Sequence, residues 1–181
     1  ILVGAAGDDT RSGGAGSDLL FGGLQSETDQ SDGNDVLNGG AGNDRLFGAG
    51  GLDQLFGDSG DDDLFGGTGS DTLDGGDGND YLSGDAGDDV LNGGSGNDWY
   101  VGGAGSDQLT FSGNFGLDIV DLSGNLGGDA DRVTFSSLSI DDAFIYLTGD
   151  NLAVVDTTGG GAALFLDFDP SQSSGISAIE F

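Results

Sequence analysis

GGTGSDTLD, GGDGNDYLS, GDAGDDVLN and GGSGNDWYV follow one another without a gap from Gly66 to Val101. These four nine-residue units share Gly at positions one and four, Asp at position six and an apolar residue at position eight. Outward from this stretch the sixth-position aspartate recurs every nine residues, at Asp35, Asp44, Asp53, Asp62, Asp71, Asp80, Asp89, Asp98 and Asp107. Asp9 and Asp18 keep the same interval between themselves. Further units begin at Gly4, Gly13, Gly22, Gly39, Gly48, Gly57 and Gly102, which makes eleven repeats. The eighth position is Leu20, Leu37, Leu46, Leu55, Leu64, Leu73, Leu82, Leu91 and Leu109, interrupted by Arg11 and Tyr100. A fixed period of this kind marks a stacked architecture whose units bury a core only together.

The residue types explain the stacking. Glycines stand where the backbone must turn sharply and approach a ligand with no Cβ in the way. The last three residues of a unit, such as Arg45-Leu46-Phe47, read as a short strand whose middle side chain points to one face. One such strand has no core, but stacked strands bury a column of leucines. Two repeats then make one coil, giving two parallel sheets joined by glycine–aspartate turns.

The charge asks for a cation. The chain carries 33 Asp plus Glu, of which only Glu27 and Glu180 are Glu, against Arg11, Arg45 and Arg132, for a net charge of −30. That excess opposes compaction unless it is neutralised. Asp is short, suits turns and offers a hard oxygen ligand. With no basic patch, nucleic acid is not an expected partner, and anionic membranes are disfavoured on the same ground. The sequence lacks His and Cys, which excludes zinc sites, Ser-His-Asp triads, thiol chemistry and disulfides. It shows no apolar run long enough for a transmembrane segment and no signal-peptide pattern.

The unit G-G-x-G-x-D-x-U-x resembles the calcium-binding nonapeptide of the RTX (repeats-in-toxin) proteins, and the resemblance covers residues 1–110. It implies an all-β, right-handed parallel β-roll, with Ca2+ held between turns two repeats apart by sixth-position aspartates and loop carbonyls. Asp44, Asp62, Asp80 and Asp98 would then line one edge, and Asp35, Asp53, Asp71, Asp89 and Asp107 the other. Asp9 and Asp18 would serve the first coils. The carbonyls would come from Gly39-Gly40-Ala41-Gly42, Gly48-Ala49-Gly50-Gly51, Gly57-Asp58-Ser59-Gly60 and Gly66-Gly67-Thr68-Gly69. Gly75-Gly76-Asp77-Gly78, Gly84-Asp85-Ala86-Gly87 and Gly93-Gly94-Ser95-Gly96 would supply the rest. Eleven repeats would allow about nine inter-turn sites at most, and since each ion needs six or more oxygens the end sites would be weaker, so about seven to nine ions are implied.

Three departures stand out. The first unit carries Arg11 at the core position, so its coil is expected to fray. The unit from Gly22 to Asn38 is eight residues too long, and Gln25 to Asp32 (QSETDQSD) reads as a loop bulging from one turn. Ile1-Leu2-Val3 fits positions seven to nine of a preceding repeat, as in a piece of a longer array.

After Thr110 the nine-residue rhythm gives way to apolar alternation in 118–122, 131–135, 143–147, 152–155 and 163–166, which reads as strands. Residues 111–181 are therefore expected to form a β-rich flanking and capping region that covers the open end of the coil. GNFGLDIV, DRVTF and GDNLAV resemble the flank that follows such repeats in many RTX proteins. The acidic–apolar C-terminus suits either a type I secretion signal or a final strand.

The expected function is not enzymatic. It is a calcium-binding folding and secretion module of a larger extracellular or cell-surface bacterial protein, whether toxin-like, adhesin or surface-layer, with other domains of the same chain as partners. The alternative is the non-catalytic C-terminal domain of a secreted enzyme such as a serralysin-like protease, lipase or epimerase. Ice binding would need outward Thr ranks, and Thr68 is alone at its loop position. Outward positions seven and nine of even-numbered repeats (Phe47, Phe65, Tyr81, Trp99) are mostly apolar, whereas those of odd repeats (Gln54, Thr72, Asn92) are polar. The apolar face is expected to be covered by the inserted loop, the cap, a protein partner or a second copy. Phe47, Phe65 and Trp99 should then be more buried than Gln54, Thr72 and Asn92.

Overall fold

The computed structural model describes residues 1–4, 6–23, 32–112, 116–121, 130–135, 143–148, 151–156, 161–166 and 175–180, with side chains described up to Phe135. Over these residues the chain is all-β and contains no helix. In order, the strands are β1 (Leu2–Val3), β2 (Thr10–Ala15), β3 (Leu19–Phe21), β4 (Val36–Ala41), β5 (Arg45–Gly50) and β6 (Gln54–Ser59). Next come β7 (Asp63–Thr68), β8 (Thr72–Asp77), β9 (Tyr81–Ala86), β10 (Val90–Ser95), β11 (Trp99–Ala104) and β12 (Gln108–Phe111). The last are β13 (Gly116–Asp121), β14 (Ala130–Phe135), β15 (Ala143–Thr148), β16 (Asn151–Asp156), β17 (Gly161–Leu166) and β18 (Gly175–Glu180).

Alternate strands fall in opposite sheets. One sheet runs β1-β3-β5-β7-β9-β11-β13-β17-β16-β15 and the other β18-β14-β12-β10-β8-β6-β4-β2. The repeat-to-repeat ladders are parallel, with Leu46 beside Leu64 and Leu55 beside Leu73. This is a β-solenoid of about six turns, and it matches the β-roll that the resemblance implies. Leu20, Leu37, Leu46, Leu55, Leu64, Leu73, Leu82 and Leu91 are all 0% exposed and come alternately from the two sheets. Each such side chain contributes roughly 1.5–3 kcal/mol of apolar burial.

The strands are longer than the three residues expected. Most span six, because the ladder continues through the glycine pair into the turn, as in Gly40 beside Asp58 and Ala41 beside Ser59. The eight-residue excess in the third unit is taken up locally. Thr10 still pairs with Val36 and Leu19 with Arg45, so the register survives. Of the inserted residues, Asp32 is buried and its carbonyl accepts the Gly7 N–H at 2.9 Å; residues 25–31 lie outside the described residues. Arg11 keeps the core register opposite Leu37, half-buried, with its guanidinium 3.2 Å from Asp9.

The hydrogen-bonded coil does not stop where the nine-residue spacing does. β13 and β17 extend one sheet in parallel and β14 and β18 the other, and only then does the antiparallel pair β16 and β15 follow. Val120 and Val133 prolong the core column, and the rings of Tyr100, Phe111 and Phe135 pack in it at 4.9 Å centroid spacings, the first pair tilted by 41° and the second stacked.

On the outer face of the sheet that holds β3, β5 and β7, formed by the even-numbered repeats, Phe21, Phe47 and Phe65 form a ring ladder, with centroids 5.0 and 4.9 Å apart and planes within 12°. Phe47 and Phe65 are half-buried and Gln54 and Thr72 exposed, as expected of the two faces. Trp99 is the exception. It is 37% exposed, while Asn92 is half-buried because its Nδ2 donates to Asp74 along the ladder at 3.0 Å. Phe47 has a like ring on each side, and Phe21 and Phe65 on one; the seventh-position indole has Tyr81 and Ile119 beside it instead.

Candidate metal centres

Each sixth-position aspartate sits at the last corner before a strand, and the stacking of coils sets these side chains in two columns. Backbone N–H groups donate to Oδ1 one coil on: Asp35 to Asp53, Asp44 to Asp62, Asp53 to Asp71, Asp62 to Asp80, Asp71 to Asp89 and Asp80 to Asp98, at 2.7–2.9 Å. Asp9 and Asp18 head the columns by donating to Asp35 and Asp44 across the longer unit. Asp89 reaches Asp107 in the same way.

The columns also take in two residues that the period missed. Asp98 N–H donates to Asp118 Oδ1 at 2.8 Å and Asp107 N–H to Asp131 Oδ1 at 2.9 Å, over separations of 20 and 24 residues rather than 18. The local text D-x-U-x persists at Asp118-Ile119-Val120-Asp121 and Asp131-Arg132-Val133-Thr134 and was the available signal.

The second carboxylate oxygen is the notable one. Oδ2 of Asp35, Asp44, Asp53, Asp62, Asp71, Asp80, Asp89, Asp98 and Asp118 is buried and has no hydrogen-bond partner. Such groups are rare in proteins and call for an ion, a water or a proton. Loss of hydration is the main cause that raises their carboxyl groups: Asp62, Asp71 and Asp98 to about 6, Asp53 and Asp80 to about 7, Asp89 and Asp118 to about 8. The N–H bond at Oδ1 offsets part of this in each.

Oδ2 turns towards the first-position glycine of its own unit. A Cβ on Gly48 would lie 2.5 Å from both Asp53 Oδ2 and the Gly66 carbonyl oxygen. The same holds at Gly57 with Asp62 and Gly75, at Gly66 with Asp71 and Gly84, and at Gly75 with Asp80 and Gly93, all within 2.8 Å. Only glycine leaves these cradles open. Among the described residues no three acidic side chains converge on one point, so a cation there would take backbone oxygens as well. The donor set is all hard oxygen, which suits calcium.

The remaining loop positions serve the turns. Third-position carbonyls such as those of Ser59, Thr68, Asp77, Ala86 and Ser95 each accept the fourth-position N–H of the neighbouring turn at 2.8–2.9 Å, which leaves one lone pair apiece. Gly42, Gly60, Gly69 and Gly78 have positive φ at these corners. Ala49, Asp58 and Asp85 hold positive φ without being glycine. Fifth-position side chains form a further ladder: Asn43 Oδ1 accepts from Asp61 N–H, Asp61 from Asn79, and Asn79 from Asn97, at 2.9–3.2 Å.

The RTX calcium-binding nonapeptide repeat matches the chain in four copies, over residues 1–26, 30–64, 56–91 and 74–109, more than half of its length. No curated protein matches it. Among solved structures, the extracellular lipase LipA from Serratia marcescens is similar at 20% identity and a TM-score of 0.37, with 85% of this chain and 38% of that one covered. With its columns of aspartates on glycine cradles, the chain belongs to the family of RTX calcium-binding nonapeptide repeat proteins.

Proposed function

We propose that the chain is a calcium-triggered folding and export module of a larger extracellular bacterial protein, unfolded where calcium is scarce and folded outside the cell. The observation that carries this reading is the pair of columns of buried Asp Oδ2 atoms without partners. With no cation, those carboxylates lose hydration and repel one another. The net charge of −30 and the backbone entropy of 40 glycines add to the cost of folding. The leucine column alone is a thin core to set against them.

Calcium, when bound, supplies a hard divalent charge. The chain's own groups do the rest: Oδ1 accepts the rung that orients each carboxylate, Oδ2 carries the charge into the corner, and the open glycine brings a carbonyl beside it. Binding at extracellular, roughly millimolar calcium then adds to folding stability by mass action. A chain unfolded inside the cell suits passage through a narrow channel.

Far-UV circular dichroism tests this. A coil-like spectrum is expected in chelator and a β spectrum in millimolar calcium, with magnesium a poor substitute because it demands a small, rigid octahedron. An unchanged β spectrum in chelator would overturn the reading.

A further inference from the structure

Tyr100 occupies the eighth position, where Leu82 and Leu91 stand in the units before it, and it is fully buried. Its ring replaces the leucine in the column and packs 4.9 Å from Phe111. The hydroxyl goes further, out of the column and into the corner. Gly93 N–H donates to Oη at 2.8 Å, and the hydroxyl faces the Thr110 carbonyl at 3.5 Å. A Cβ on Gly93 would lie 2.5 Å from Oη and against Asp98 Oδ2. In the cradles at Gly48, Gly57, Gly66, Gly75 and Gly84 the oxygen beside the aspartate is a glycine carbonyl. Asp98 Oδ2 is buried and makes no hydrogen bond, although a phenol stands next to it. Oη accepts the Gly93 N–H with one lone pair and keeps another for the corner.

We propose that the Tyr100 hydroxyl is an oxygen of the cation site at the Asp98 corner, which makes this site chemically distinct from those earlier in the roll. The proposal rests on the calcium-binding reading above. A neutral phenol is a hard oxygen like a carbonyl, but a side-chain substitution removes it without touching the backbone.

The test counts ions by native mass spectrometry at fixed free calcium, on the full chain and on Tyr100→Phe and Tyr100→Leu. Both variants should reach the wild-type β spectrum in saturating calcium. Both should hold one ion fewer at the calcium level that just fills the wild type, with that ion's midpoint raised about tenfold or more. Leucine already fills this column, so Tyr100→Leu reports even if Tyr100→Phe folds poorly. Combining Tyr100→Phe with Asp98→Asn should remove that same ion and no other, as for two groups on one site. An unchanged count and midpoint in both variants, an extra ion in Tyr100→Leu, or loss of two ions in the double variant overturns the proposal. A wild-type chain that holds no calcium overturns the calcium reading itself.

Discussion

The backbone N–H of Asp62 donates to Asp80 Oδ1 at 2.8 Å, one coil further along, while Asp80 Oδ2 is buried at the glycine corner with no partner. The two oxygens of one carboxylate thus have separate duties, a rung of the stack and a charge facing the cradle. Substitutions that remove one duty and keep the other should separate them.

Asp80→Asn keeps an Oδ1 acceptor for Asp62 but loses the charge. Its calcium midpoint should rise about tenfold, while urea unfolding in saturating calcium stays near wild type. Leu64→Ala should instead lose about 2–5 kcal/mol at saturating calcium, because it opens a cavity in a column that is 0% exposed. Equal losses for the two variants in saturating calcium would refute the division between packed core and cation site.

Glycines at different positions of the repeated loop should differ in what they tolerate. A Cβ on Gly57 would meet Asp62 Oδ2 and the Gly75 carbonyl, whereas one on Gly14, at φ +99°, meets nothing within 4 Å. Gly57→Ala is expected to weaken calcium binding, and Gly14→Ala to cost only the left-handed strain of about 1–2 kcal/mol. Calorimetric titration distinguishes them; a normal calcium isotherm for Gly57→Ala would count against the cradle.

Acidity should act in opposite directions with and without calcium. The carboxyl groups of Asp53, Asp80, Asp89 and Asp118 are raised by burial to about 7–8 in the folded chain, from 3.8. Raised groups give stability that is fully present below the unfolded value and is lost as pH climbs through the folded one. In chelator, β structure measured by circular dichroism should therefore grow as pH falls from about 8 to 4. In calcium, protons compete for the same oxygens, so the calcium midpoint should rise over that range. Chelator-treated chains that lose structure on acidification would contradict this.

The aromatic end of the core should matter although it lies beyond the repeats. Phe111 is fully buried between Tyr100 and Phe135. Phe111→Ala is expected to cost about 3–5 kcal/mol in saturating calcium, measured by urea unfolding. A loss under 1 kcal/mol would show that the coil does not depend on this extension.

Much of the site was legible because a solenoid translates period into position. Nine residues per strand place Asp44 over Asp62 and Leu46 over Leu64, and the phase is intact on both sides of the eight extra residues. Asp118 and Asp131 escaped because their units carry extra residues between one corner and the next. Spacing was lost there while the ladder was kept. Trp99 was misplaced because apolar character on a sheet face says nothing about what stands beside it.

The sequence by itself determined the strand period, the inward leucines, the outward faces and the aspartate at each corner from Asp9 to Asp107, since each follows from a local motif repeated in register. Only the tertiary structure decided which oxygen of each aspartate became a rung and which was left alone in the corner. It also decided that Tyr100 reaches Gly93 and that the coil runs on through β13 and β14. The rungs and the extended coil depend on hydrogen bonds between coils 18 or more residues apart, and the Tyr100 contact, though it spans only 7 residues, joins strands of opposite sheets; all of them exist only once the coils have formed.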